Sequence, residues 1–273
     1  MMARAGLRPY LSFFRVRFIA GMQYRTAALA GIATQFAWGS MNLLAYRAFY
    51  AADAAAFPMT FEQISCYVWF NQAFLTLFML WFLDADIFAA IRDGGVAYEL
   101  ARPLDLYRMW FVKNMATRTA KVVLRCLPIL VVACFLPAPY GLTLPVSPLA
   151  FLLFLVTMFL ALLLVVAVCM LIYIATFYTM NPLGVRIVAV SMCEFLCGAI
   201  VPIPFMPDGL RRVIELTPFA AMQNLPFRIY SGSIAGAELV RGVALQLFWV
   251  VALIALGRFW MKCALRRVVV QGG

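Results

Sequence analysis

The chain has no histidine, and that absence removes most of the constellations by which proteins do covalent chemistry. Ser-His-Asp and Cys-His triads, H-E-x-x-H zinc sites and imidazole proton relays all need the imidazole. Among seven cysteines, Cys193 and Cys197 stand i, i+4 on one helical face, a spacing that a soft metal ion could use. No third or fourth ligand of suitable type lies near them, and cysteines inside apolar runs are good packing residues, so no metal site is expected. None of the cysteines falls in a stretch expected outside, and no disulfide framework is read. The phosphate-cradling pattern G-x-x-x-x-G-K-[ST] occurs nowhere in the sequence. Neither a catalytic residue nor a cofactor is therefore expected in this chain.

What remains is polar chemistry inside apolar runs. Glu194 is the one carboxylate well inside such a run, where a charge costs roughly 2.5–3.5 kcal/mol on insertion scales. It either meets a cationic group or proton on a transport path, or serves as a hydrogen bonder to a neighbouring helix. Ala27, Gly31, Gln35 and Gly39 repeat every four residues, and Asn42 continues their face. Small residues there let a second helix approach, while Gln35 and Asn42 can hydrogen-bond across it. Packing within the bundle, a subunit interface and a polar cavity wall all satisfy that pattern. Gln35, Gly39, Asn42 and Glu194 are thus the candidate lining of a substrate pathway or subunit interface.

The elements that carry these groups are hydrophobic. The composition is 66% apolar and 12% charged, too little polar surface to cover a soluble globule. The net charge of +11 comes from basic residues that flank apolar runs, which argues for membrane topology and against nucleic acid. Six runs approach or exceed the roughly 20 residues a helix needs to cross a bilayer: 27–49, 62–83, 114–136, 149–177, 184–202 and 241–260. The fourth is the longest without charge and must tilt or protrude. The expectation is an all-α polytopic membrane protein, one transmembrane domain over 1–273, with its first span retained rather than cleaved.

Three segments stand outside the spans. Residues 7–22 place Leu7, Tyr10, Leu11, Phe14 and Phe18 on one face, as in a helix lying in the membrane interface among lipid phosphates. Residues 205–233, punctuated by Pro207, Pro218 and Pro226, read as two short amphipathic helices dipping into the outer leaflet, with Asp208 capping the first. They carry Arg211, Arg212 and Arg228, against the positive-inside trend. Residues 84–112 are mixed in charge and interrupted. Asp84 or Asp86 can cap a short helix through Ile87, Phe88 and Ile91, and Gly94-Gly95 ends it. Another helix starts near Asp105, and Arg118, Lys121 and Arg125 form one stripe on it. The short helix suggests a docking surface. Its apolar tip Ile87, Phe88 and Ile91 would enter a partner groove, with Asp86, Arg92, Glu99, Arg102 and Pro103 around it.

The run Ile91-Arg92-Asp93-Gly94-Gly95-Val96-Ala97-Tyr98-Glu99-Leu100-Ala101-Arg102-Pro103-Leu104-Asp105 resembles the cytoplasmic signature of six-span transmembrane subunits of type-2 ABC exporters. Gly198-Ala199-Ile200-Val201-Pro202, Phe205, Pro207, Leu210, Pro218-Phe219, Pro226 and Tyr230-Ser231-Gly232 resemble that family's broken outer region. With the interfacial helix and the spans, the resemblance covers nearly the whole chain. It implies a coupling helix within 84–112, a second permease (the same chain or another) and a separate ATPase subunit that holds ATP and Mg. Substrate would pass between permeases along the first, second and fifth spans, in a plasma membrane (a bacterial inner membrane). Glu194 has no counterpart in the family pattern. The competing class, an ion-gradient-driven secondary transporter or channel subunit, usually carries inverted repeats or several intramembrane ionisable residues; neither is clear here.

Charge placement predicts both termini and 84–112 in the cytoplasm, with 51–60, 137–147 and 208–232 outside. Single-cysteine labelling on a cysteine-free background checks it. Position 99 should resist membrane-impermeant reagent added to intact cells, and its labelling there would invert the orientation.

Overall fold

The computed structural model describes residues 6–23, 25–179 and 181–267, which are helical with no strand among them. Arg4 and the side chains of Arg25 and Ala27 lie outside the described residues. In chain order the helices are α1 (Leu7–Gly21), α2 (Arg25–Ala52), α3 (Phe61–Ala73), α4 (Leu75–Phe78), α5 (Ala85–Arg92), α6 (Val96–Leu100), α7 (Leu106–Phe135), α8 (Pro148–Thr179), α9 (Pro182–Leu196), α10 (Asp208–Glu215), α11 (Asn224–Ser231) and α12 (Gly236–Leu265).

Helix α8 is the hub. It has no charged residue and is apolar all round, the pattern of a helix enclosed by others. Helices α4, α5, α7, α9, α11 and α12 all pack on it. Among the described residues, α8 and α12 are long and apolar enough to cross a bilayer on composition alone. Helices α2 and α7 have the length, about 42 and 45 Å at 1.5 Å per residue. Helix α1 lies along α7, close enough that a Cβ on Gly21 would stand 2.7 Å from that of Ala120.

Two expected spans are not continuous helices. The 62–83 run breaks after Ala73, resumes for the single turn of α4, and turns extended at Met79 before a 3₁₀ turn over Leu80–Phe82. A break at that depth leaves carbonyls without helical partners, which an apolar environment penalises by several kcal/mol each. Arg118 of α7 meets them. Its Nη1 donates to the carbonyls of Leu77 at 2.7 Å, Met79 at 3.1 Å and Thr76 at 3.4 Å, and its Nη2 lies 3.2 Å from the Cys169 sulfur. Arg118 is 1% exposed, so the expected basic stripe is corrected: one member is a buried backbone cap. Lys121 instead sits 4.8 Å from the Phe82 ring centroid, and the Arg125 guanidinium lies against Gly31.

The 184–202 run stops at Leu196, giving α9 a length of about 22 Å, short of a roughly 30 Å hydrocarbon core. The chain reverses at Gly198, whose φ of +79° suits a residue without Cβ. The freed carbonyls are met by α3: Tyr67 Oη donates to Gly198 O and Asn71 Nδ2 to Ala199 O, both at 3.0 Å.

Of the two outer pieces, only α10 is amphipathic on a surface, with Ile214 inside and Leu210 and Val213 exposed. Asp208 is its first residue rather than its cap, paired with Arg211 at 2.8 Å. All eight residues of α11 are buried against α8 and α3, which corrects the expectation of a second amphipathic surface helix. Arg228 within it reaches Glu238 at 2.9 Å and Glu215 at 3.7 Å, binding α11 to its neighbours on both sides.

Arg118→Met keeps much of the side-chain bulk while stripping the carbonyl cap. We expect a stability loss of about 2–4 kcal/mol, read as a lower thermal unfolding temperature of the detergent-purified chain, with Arg118→Lys recovering part. An unchanged unfolding temperature in the Met variant would mean the break does not depend on this residue.

Candidate functional site

The 84–112 region folds as a helical hairpin, α5 and α6, tied to α7 and α8. Asp84 caps α5 by accepting from the Asp86 amide at 3.0 Å. Lys113 Nζ on α7 bridges the two carboxylates, at 2.9 Å from Asp84 and 3.3 Å from Asp86. Tyr173 of α8 accepts from the Asp84 amide at 2.7 Å and donates to Asn114 Oδ1 at 3.0 Å. Trp110 Nε1 donates to the Glu99 carboxylate, fixing α6. Asp105 caps α7 by accepting from the Arg108 amide at 2.8 Å, and its own amide donates to Tyr10 of α1.

The apolar residues of α5 face inward. Ile87, Phe88 and Ile91 are buried within this chain, and Phe88 packs edge-on against Tyr173 with centroids 5.0 Å apart. This corrects the expectation that they form an exposed tip, because a one-sided eight-residue helix has only one apolar stripe and the bundle takes it. Left outward are Tyr98, 83% exposed, with Arg92, Asp93, Arg102 and Pro103. Arg92 holds Asp93 at 2.8 Å, and that guanidinium lowers the Asp93 carboxyl below the usual carboxylate range. Sequence reading did not single out Tyr98 or Lys113, and it placed Arg118 in a basic stripe rather than at the helix break. The signal for Tyr98 was its place on a five-residue helix between two breaks, too short to bury both faces.

The two glycines of the hairpin are not equivalent. Gly94 has φ +74°, in the left-handed region, whereas Gly95 starts α6 with right-handed values of −60° and −14°. A Cβ on Gly95 would rest in ordinary contact, 3.4 Å from Ala90 Cα. The reversal belongs to Gly94, a correction to the expectation that both were needed.

Gln35 is 3% exposed, with neither amide atom in a hydrogen bond. Gly39 lies under Trp69 and Gln72, where an added Cβ would meet them at 3.0 and 3.1 Å. That face of α2 is spent on packing within the chain, which corrects its assignment to a pathway or subunit interface at Gln35 and Gly39; Asn42 is half-buried. Glu194 is half-buried on α9, and its carboxylate accepts from Trp81 Nε1, whose residue also accepts at its carbonyl from Arg186. Cys193 and Cys197 are buried, and no three His, Cys, Asp or Glu groups converge as metal ligands among the described residues.

A helical bundle of such apolar composition, with its helix breaks met by buried donors, suits a membrane protein. Residues 36–272 match the family described as ABC-2 family transporter protein, and the chain belongs to that family as a permease subunit. No curated protein matches it significantly.

Gly94→Val should cost more than the roughly 1–2 kcal/mol of an ordinary residue held left-handed, whereas Gly95→Ala should stay within about 0.5 kcal/mol of the parent. Thermal unfolding of the two purified variants compares them directly. The reverse order would contradict the assignment of the turn.

Proposed function

We propose that this permease works in an ATP-driven exporter, forming half of a substrate path with a second permease. A separate ATPase subunit would bind ATP and Mg and hydrolyse the nucleotide. In this reading the 84–112 hairpin and both termini lie in the cytoplasm and the bundle in the plasma membrane, in keeping with the basic residues at that end.

The observation that carries the proposal is the hairpin's division of labour. Ile87, Phe88 and Ile91 seat it on the chain's own bundle, while Tyr98 stands out at 83% exposure above a rigid base. A large aromatic on a fixed platform is the kind of anchor that dominates a protein interface. A push on Tyr98 is delivered through Glu99–Trp110 to α7 and through Asp84–Lys113 and Asp84–Tyr173 to α7 and α8. Arg92, Arg102 and Pro103 would set the register of the ATPase around it. On the substrate side, Trp38, Met41 and Leu44 of α2 and Ile187, Val188 and Met192 of α9 are exposed and apolar, the faces available to cargo and the second permease. Glu194 stands beside the α9 face. The ion-gradient-driven alternative gains no specific support, since Glu194 and Arg118 are engaged locally rather than arranged as a relay.

The test is assembly with the ATPase subunit. The chain purified alone should show no ATPase activity. Tyr98→Ala should weaken capture of the ATPase by about tenfold or more without lowering the chain's own unfolding temperature, and Arg102→Glu should act in the same direction. Normal assembly and transport by both variants would remove the hairpin from the coupling path.

A further inference from the structure

A second polar site lies at the same end of the bundle, away from the hairpin, in a groove of ≈ 480 Å³ between α1, α7 and α12. Its walls are Leu7, Phe111, Val112 and Ile254, and its charged groups are Arg108 and Arg258. Both arginines are exposed, and among the described residues no carboxylate lies within ion-pair distance of either. Asp105, three residues before Arg108, is occupied as the cap of α7. Tyr10, whose hydroxyl accepts from the Asp105 amide, and Tyr107 complete the lining. Tyr107 is 4% exposed, packed so closely on Gly257 that an added Cβ would stand 2.7 Å from the phenol oxygen, and that buried hydroxyl has no hydrogen-bond partner. Leu7 also brings the first turn of α1, which has no side-chain cap, to the rim.

We propose that this groove binds the headgroup phosphate of an anionic phospholipid between Arg108 and Arg258, with Tyr107 donating a hydrogen bond and an acyl chain along Phe111, Val112 and Ile254. Two forked cations without acids, an unmet buried hydroxyl and an uncapped helix start are all short of the same thing, an anion with several acceptor oxygens. Apolar walls in a membrane-embedded bundle select one attached to hydrocarbon, and basic pockets between membrane helices are suited to acidic headgroups. The contrast is the small cavity at Arg228, ≈ 50 Å³, whose arginine already has Glu215 and Glu238. This inference rests on the membrane setting of the chain and is independent of what it transports.

Native mass spectrometry of the full chain in detergent, titrated with dioleoylphosphatidylglycerol or dioleoylphosphatidylcholine, tests it. The anionic phosphatidylglycerol should bind first and more tightly. Arg108→Gln combined with Arg258→Gln should weaken it by about tenfold, and Tyr107→Phe by about threefold, with phosphatidylcholine binding unchanged. Tyr107→Phe keeps the packing on Gly257, so it reports even if the double variant is unstable. Equal binding of the two lipids, or parent-like binding by all variants, overturns the proposal. Displacement by glycerol 3-phosphate at matched concentration would show a soluble phosphate site and overturn the lipid assignment.

Discussion

A single guanidinium without a carboxylate holds the middle of this bundle together. Backbone carbonyls released by a broken helix cannot be left in hydrocarbon, and the second apolar run breaks deep inside. Arg118 answers three of those carbonyls from one nitrogen. The arrangement solves two problems at once. Oriented carbonyl dipoles solvate a buried positive charge, and the charge satisfies a backbone that has no helical partner. It also fixes α7 against α4 and α8, which in turn places Lys113 and Asn114, one turn earlier on α7, where Asp84 and Tyr173 need them.

The same rule shapes the opposite end. Where α9 stops short, side chains of α3 take up the carbonyls of Gly198 and Ala199. Gln246 of α12 reaches the carbonyls of Thr157 and Ala221, tying the linker before α11 to α8. Arg228, which looked like a violation of charge asymmetry, is a buried ion-paired latch and says little about orientation. Broken helices are therefore stabilised here by donors from neighbouring elements, and each break makes a contact specific.

For function, the consequence is that stiffness and exposure are separated within a short hairpin. Apolar side chains and three hydrogen-bonded ties anchor α5 and α6 to the long helices, leaving an aromatic and a few charges outward. In the proposed coupling role such a surface would pass displacement inward, because its base is held by packed side chains.

Local pattern was enough for the class, the helical content, the positions of α1, α2, α7, α8 and α12, and the interrupted character of 84–112. Apolar run length, prolines, and caps such as Asp84 and Asp105 act within a few residues, so they are readable in order along the chain. Family resemblance added the expectation of a permease, which the match over 36–272 carries to the level of the family. The direction each face points was not readable. Ile87, Phe88 and Ile91 form an apolar stripe whether it meets this bundle or a partner. Gly39 permits close approach by any helix, and Arg118 shares its spacing with Lys121 and Arg125. Their fates depend on residues 30 to 85 positions away: Trp69 for Gly39, Tyr173 for Phe88, and the carbonyls at 76–79 with Cys169 for Arg118. Sequence spacing sets which side chains share a face, and only the packed structure decides what that face meets, because burial and hydrogen bonding are properties of pairs distant in the chain.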